Sequence, residues 1–230
     1  MLLGIIRLLI IYDFADSLGL IYKKYSENFS FFKSLIYSEE SRRLLKYERK
    51  NINMAYKSFF FNKFEASIFP KEKIKVVNHG FEKEVISNIE VVGDKYSNCV
   101  VLFGNLSYVP AIHGAFWFIK NILPFINNEI KFLLLGANPP KKLIKLSNRS
   151  KRIIVKGFVN DPYSIMKGSL VSISPIFIGG GIQNKVIEGM AIGAVNLVSP
   201  ISIEPFDNID DTGLILCKTD NDWIYQINKI

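Results

Sequence analysis

The twenty residues PIFIGGGIQNKVIEGMAIGA, Pro175 to Ala194, hold the densest set of groups able to do chemistry. Three consecutive glycines, Gly179, Gly180 and Gly181, follow an apolar run and precede a stretch in which Ile182, Val186, Ile187 and Met190 recur at helical spacing. Glycines at such a turn let the backbone approach a ligand closely. The first N–H groups of the helix, around Gln183 and Asn184, form an anion site, for which a phosphate or diphosphate is the natural guest. Lys185 falls in the first helical turn, where the helix dipole disfavours a cation, and a negative ligand would offset that cost. Glu188 follows three residues later, so both can border one rim. A carboxylate there suits hydrogen bonding to ribose hydroxyls. The plainer alternative is a structural turn with a surface ion pair, worth under about 1 kcal/mol. The pattern is neither the Walker motif nor the dinucleotide fingerprint.

The elements that must position these residues are legible around them. Short apolar runs recur at Cys99–Phe103, Lys131–Leu135, Arg152–Val155, Leu170–Ser174, Ala194–Val198 and Gly213–Cys217, with helix-sized amphipathic stretches such as Pro110–Ile122 and Gln183–Ala191 between most of them. That alternation predicts a doubly wound parallel α/β sheet. Gly104, Gly136, Gly157 and Pro175 end four of the runs, where such a sheet places its ligand loops. The first half differs. Helices are expected between Gly19 and Pro70, with a helix start at Ser38 ahead of two acids. Next come a strand and turn in KIKVVNHGF, then a polar hinge over Glu82–Asn98. One or two strands make a poor independent sheet, so residues 1–97 read as a mostly helical remnant and 98–230 as the complete unit.

The glycine segment GGGIQNKVIEGMAIG closely resembles the nucleotide-sugar binding segment of retaining glycosyltransferases of the GT-B fold, the group 1 or family 4 type. VVLFGNLSYVPAIHGAFWFIKNILP, FLLLGANPP and IIVKGFVNDPYSIM are similar to the strands and turns of its Rossmann-like donor domain, in order. DFADSLGLIYKKYS and VVNHGF resemble closing motifs of its acceptor domain. The resemblance implies a partial acceptor-side segment over 1–97 and a donor-binding domain over 98–230, with most of the acceptor domain lacking. It implies a hexosyltransferase that moves a sugar, with retention, from a UDP- or GDP-type nucleotide sugar to a glycan or lipid-linked acceptor in polysaccharide biosynthesis. Lys185 would neutralise the leaving diphosphate and Glu188 would hold the ribose. Gly104 and Asn105 would lie under the phosphates, while Gly157, Phe158 and Val159 would border the base. Gly179, Gly180, Gly181, Gln183 and Asn184 would supply contacts to diphosphate and sugar. No metal or other cofactor is expected, since positive groups and helix N–H donors take the cation's place. One departure concerns a glutamate that many members carry eight positions before the second; here that position is Gly180.

Two further readings keep the resemblance without transfer. One is a catalytically silent remnant that binds nucleotide or a partner protein, and the other is a GT-B nucleotide-sugar epimerase. Asp13, Asp16 and Ser17 stand at a strand end, where acceptor-side chemistry or helix capping could occur. His79 and His113 read as structural, Phe116, Trp117 and Phe118 as core, and Cys99 and Cys217 as buried thiols. A composition of 49% hydrophobic and 22% charged residues excludes a disordered or fibrous chain. The net charge of +8 is shared evenly between the halves, which excludes a detachable basic arm. Lys131–Lys156 nevertheless holds eight basic residues and no acid, either a solvated face or a contact with anionic membrane. Its aromatics are not interleaved for stacking, so nucleic acid is not an expected partner. MLLGIIRLLIIY is too short to span a bilayer and has no cleavage site. It reads as a buried element of a cytoplasmic protein, with peripheral contact at the inner membrane face as the second reading.

Overall fold

The computed structural model describes residues 9–87, 89–90, 93–206, 209 and 213–230. The first eight residues of the opening apolar run, and Asn88, Val91 and Val92 of the polar hinge, lie outside them. The chain forms two compact units. One runs up to His79 and includes Gly179–Ile182; the other comprises Gly80–Ile178 and Gln183–Ile230.

The first unit contains β1 (Ile11–Ala15), α1 (Leu18–Asn28), α2 (Phe31–Met54), β2 (Lys57–Phe60), α3 (Lys63–Ala66) and β3 (Ile74–Val76). Its strands form a three-stranded parallel sheet in the order β1-β2-β3. The helical reading of residues 20–70 missed β2, a four-residue strand squeezed between two helices. Ile52, Phe60, Ala66 and Phe69 make a buried cluster, with Phe60 stacked between Phe14 and Phe69 at centroid distances of 5.3 and 5.1 Å. Burial of one such ring stabilises by about 1.5–3 kcal/mol. Helices α1 and α2 cross closely at Gly19, where a Cβ would stand 2.6 Å from Leu45 Cγ. Beyond the crossing, Tyr22, Tyr25, Phe29 and Tyr37 interlock edge to face. No helix starts at Ser38; α2 runs through it, because Glu39 and Glu40 pair with Arg42 and Arg43 one turn on. Contrary to expectation, the described end of the opening run is not buried. Leu9, just before β1, and Ile11, on that edge strand, are 64% and 55% exposed.

In the second unit α4 (Glu84–Ser87) precedes β4 (Cys99–Phe103), α5 (Val109–Asn121), β5 (Lys131–Leu135), α6 (Lys141–Ser147), β6 (Ile153–Gly157), α7 (Pro162–Lys167) and β7 (Val171–Ser174). The chain continues through α8 (Asn184–Ala191), β8 (Asn196–Val198), α9 (Pro200–Ile203), β9 (Leu214–Leu216) and α10 (Asp220–Lys229). Six parallel strands lie in the order β6-β5-β4-β7-β8-β9, so the winding reverses between β4 and β7. Successive side chains of one strand pass to opposite faces. Val100, Leu102, Phe132 and Leu134 join α5, α6 and α10 residues in one core, while Cys99, Val101, Leu133 and Leu135 join α7 residues in another. This is the doubly wound α/β architecture expected of the second half. The described part of the polar hinge packs here: Val85 and Tyr96 are buried in the second core. Both cysteines are buried, and burial pushes the Cys217 thiol up to about 12. Phe118 is core, with Phe116 and Trp117 packed against it.

Candidate functional site

A doubly wound sheet binds ligands beyond the carboxyl ends of its strands, at the point where the winding reverses. There β4, β5 and β6 end in Gly104, Gly136 and Gly157, with φ of +141°, +143° and +71°. At Gly136 a Cβ would fall 1.6 Å from the Gly104 carbonyl oxygen, so the two loops touch through bare backbone. Beyond them opens a cleft of about 420 Å³ that brings together Gly104, Asn105, Phe158 and Val159, along with Gly136 and Tyr163. Phe158 is 75% exposed on its rim. The Asn105 side chain turns back to accept hydrogen bonds from the Ser107 N–H and hydroxyl, at 3.0 and 2.8 Å, so it shapes the loop.

Lys185 lies in the first turn of α8, and its Nζ stands 4.0 Å from where a Gly104 Cβ would be. Burial holds its ammonium down to about 8 against the opposing pull of Glu188. Glu188 also accepts a hydrogen bond from Tyr163, whose hydroxyl is pushed up to about 12, first by burial and then by that carboxylate. Tyr163 was missed in the sequence because Asp161-Pro162 before it carries only a helix-start signal, which the Asp161 side chain fulfils by capping Ser164 N. Buried Gln183 and exposed Asn184 open α8, and Gln183 provides no side-chain cap. Val186 N–H donates to the Gln183 carbonyl at 2.8 Å, while the amides of residues 184 and 185 precede the first possible intrahelical bond. A cation, helix amides and an adjoining cleft thus converge on one anion-binding geometry.

The glycine loop itself belongs with the first unit. Gly181, at φ +75°, donates its N–H to Glu65 Oε1 at 3.2 Å. A Cβ there would overlap the Asp16 carboxylate at 2.3 to 2.6 Å, and Asp16 accepts the Ile182 N–H. In this structure the Gly181 amide, expected with its neighbours to contact diphosphate and sugar, is held by a carboxylate. Burial pushes Glu65 up to about 7, the neighbouring Asp16 charge adding to it and the Ser17 amide opposing it; burial also raises Asp16. Ser17 is buried and caps α1. Its Oγ accepts from Leu20 N at 3.2 Å and donates to Glu48 at 2.8 Å, and its amide donates to Glu65 at 2.6 Å. Asp13 is exposed and accepts the Ala15 amide at the end of β1. Glu65 escaped the sequence reading because its partner lies 116 residues away, beyond any local pattern.

The histidines sit against rings, His79 on Phe61 and His113 on Phe177. Among the described residues no three His, Cys, Asp or Glu groups converge as metal ligands, and no helix is long and apolar enough to cross a membrane. The basic run is partly committed. The Arg152 guanidinium donates to the carbonyls of Ile126, Asn127 and Ile130, and Lys156 donates to the Tyr96 hydroxyl; Lys141, Lys142 and Lys145 remain exposed.

The fold defines an α/β protein of the doubly wound class. Within that class, residues 97–230 match the glycosyl transferases group 1 family, more than half of the chain, and the protein belongs to that family. Solved GT-B structures share the fold. WaaG, a glycosyltransferase involved in lipopolysaccharide biosynthesis, is 12% identical with a TM-score of 0.73 over 95% of this chain and 65% of its own. Anabaena HepE in complex with UDP and glucose gives 16%, 0.71, 96% and 61%. Sucrose-phosphate synthase from Thermosynechococcus elongatus gives 14%, 0.71, 96% and 58%. The chain spans less than two thirds of the length of each. No curated protein sequence matches it.

Proposed function

We propose that the protein transfers a sugar from a nucleoside diphosphate sugar, of UDP or GDP type, to a glycan or lipid-linked acceptor in polysaccharide synthesis, with retention at the anomeric carbon. The observation that carries this is Lys185, a half-buried ammonium in the first turn of α8, facing the bare backbone of Gly104 at the reversal of the sheet. As the glycosidic bond to the diphosphate breaks, negative charge grows on the departing oxygens. A cation and helix amides fixed in advance stabilise that charge more than the ground state. The lowered proton affinity of Lys185 matches a cation waiting for an anion. Glu188, which accepts a hydrogen bond from Tyr163 and attracts the Lys185 charge, accepts the ribose hydroxyls in this reading. Gly104, Gly157, Phe158 and Val159 cover phosphates and base. HepE has been solved in complexes with UDP and with UDP-glucose, which supports the same ligand class.

A lipid-linked acceptor is supported by the start of α2, where Phe31, Phe32, Leu35 and Ile36 are 57–79% exposed. Arg42, Arg43, Lys46 and Lys50 follow on the same helix. An apolar end with basic residues behind it suits the face of an anionic membrane, and we place the protein at its cytoplasmic side.

Calorimetric titration with UDP and GDP tests the site. Lys185→Ala and Glu188→Ala should each lower affinity tenfold or more, and undiminished affinity in both would overturn the assignment. Transfer by the wild type, with the product anomer read by NMR, tests reaction and stereochemistry together. Binding without transfer or donor hydrolysis would instead fit a silent nucleotide binder.

A further inference from the structure

Position 180 carries glycine although its backbone does not demand one, since its φ lies outside the left-handed region. A side chain there would meet Glu65 first. A Cβ built there stands 3.3 Å from Glu65 Oε1 and 3.7 Å from both Ile21 Cγ1 and Lys24 Nζ. A carboxylate thus arrives at position 180 from α3 instead of from the loop.

Glu65 is firmly held: it is 3% exposed, and its two oxygens accept the amides of Ser17 and Gly181. An ionised carboxylate oxygen can accept a second hydrogen bond, and Glu65 lines a pocket that could supply one. The pocket, wholly within the first unit, has a volume of about 180 Å³ and is bordered by Leu20, Ile21, Lys24, Phe64 and Gly180. Pockets for drug-sized ligands hold about 300–1,000 Å³, so this one suits a single ring. Leu20, Ile21 and the 58% exposed Phe64 ring provide apolar surface, while Glu65 and Lys24 provide an acceptor and a donor. An apolar wall opposed by both kinds of polar group matches a pyranose, which has C–H faces and a rim of hydroxyls.

We propose that this pocket seats one sugar ring and that Glu65 accepts hydrogen bonds from its hydroxyls, standing in for a side chain that Gly180 does not carry. The burial that raises the Glu65 carboxyl is the condition that ring hydroxyls, by donating to it, would relieve. The ring's identity as part of donor or acceptor rests on the glycosyl-transfer reading; occupancy of the pocket does not.

Saturation-transfer NMR on the full chain, without nucleotide, tests occupancy. The probes are the methyl glycosides of glucose, galactose and N-acetylglucosamine at millimolar concentration. Ile21→Trp fills the pocket without touching the Glu65 hydrogen bonds, and it should abolish the signal that the wild type gives. An absent wild-type signal, or one equally strong in the variant, overturns the proposal whatever the nucleotide titrations show. If the signal behaves as expected but the wild type binds neither UDP nor GDP, the pocket stands and the transfer reading fails.

Calorimetry with UDP and UDP-glucose then assigns the ring. Should it be the donor's, Ile21→Trp and Glu65→Ala lower UDP-glucose affinity at least tenfold and leave UDP within twofold. Should it be the acceptor's, both affinities hold while transfer to the methyl glycosides falls tenfold relative to donor hydrolysis. Glu65→Ala also leaves two amides unpaired, so a second exchange separates sugar contact from loop support. Adding Gly180→Glu to Glu65→Ala should restore the lost effect at least in part, whereas failure to restore it in a folded double variant overturns the role of Glu65.

Discussion

Lys185 offers a prediction in which function and stability move in opposite directions. An unfolded lysine titrates near 10.4, and burial in the folded chain brings Lys185 down to about 8. The folded state therefore disfavours this charge by about 3 kcal/mol at pH 7, at about 1.36 kcal/mol for each decade. Lys185→Met keeps the stem and removes the ammonium. The attraction of Glu188 is already contained in that shift, so the variant should be about 3 kcal/mol more stable than the wild type at pH 7. For a chain of this size that corresponds to about 6–12 °C in melting temperature. The sign with pH follows from linkage. Between about 8 and about 10.4 the unfolded chain binds more protons at this site than the folded one, so wild-type stability rises relative to the variant as pH increases. By pH 9.5 the advantage should have narrowed to about 1 kcal/mol. Urea midpoints at pH 7 and 9.5, with UDP calorimetry on the same samples, read both effects. A variant less stable than wild type at pH 7, a gap that does not narrow by pH 9.5, or full UDP affinity without the ammonium would refute the reasoning.

Other outcomes follow from single contacts. Gly136→Ala places a Cβ 1.6 Å from the Gly104 oxygen at a φ of +143°; a lower urea midpoint by about 3 kcal/mol or more is expected, whereas Gly80→Ala, with nothing within 4 Å, should be neutral. Tyr163→Phe removes the hydroxyl bonded to Glu188 and should cost about 1.5–3 kcal/mol in stability, with a several-fold loss of UDP affinity by calorimetry. Phe31→Ser with Phe32→Ser should reduce co-sedimentation with phosphatidylglycerol vesicles several-fold and leave UDP binding unchanged; unaltered sedimentation would remove α2 from the membrane face.

What the sequence made legible depended on how far each signal reached. CVVLF and KFLLL are strands to the residue, because both faces of β4, and of β5 after the exposed Lys131, pack inward and the runs there are apolar. The glycines closing them were readable for the same reason, since a change of backbone region at a strand end needs a residue without Cβ. In the first half, KSFF is too short to outweigh the helical stretch before it, and the acids at Glu39 and Glu40 mimic a helix start while bridging within α2. Lys185 and Glu188 were visible through their spacing, but the third member of that group, Tyr163, approaches from α7. The partners of the glycine loop, Asp16 and Glu65, come from two elements remote in sequence, and only the folded chain brings them to it.

The excursion of Gly179–Ile182 into the first unit has a practical consequence for dissecting the molecule. The backbone passes between the units three times, after His79, after Ile178 and after Ile182. A single protease cut at the first crossing leaves the fragments tied by the four-residue inset, whose Gly181 amide is docked on Glu65. A gene fragment beginning at Gly80 would encode a second unit whose glycine inset has lost Asp16 and Glu65. For expression trials and limited proteolysis the two units behave as interlaced pieces, and a fragment lacking residues 13–65 cannot report faithfully on this loop.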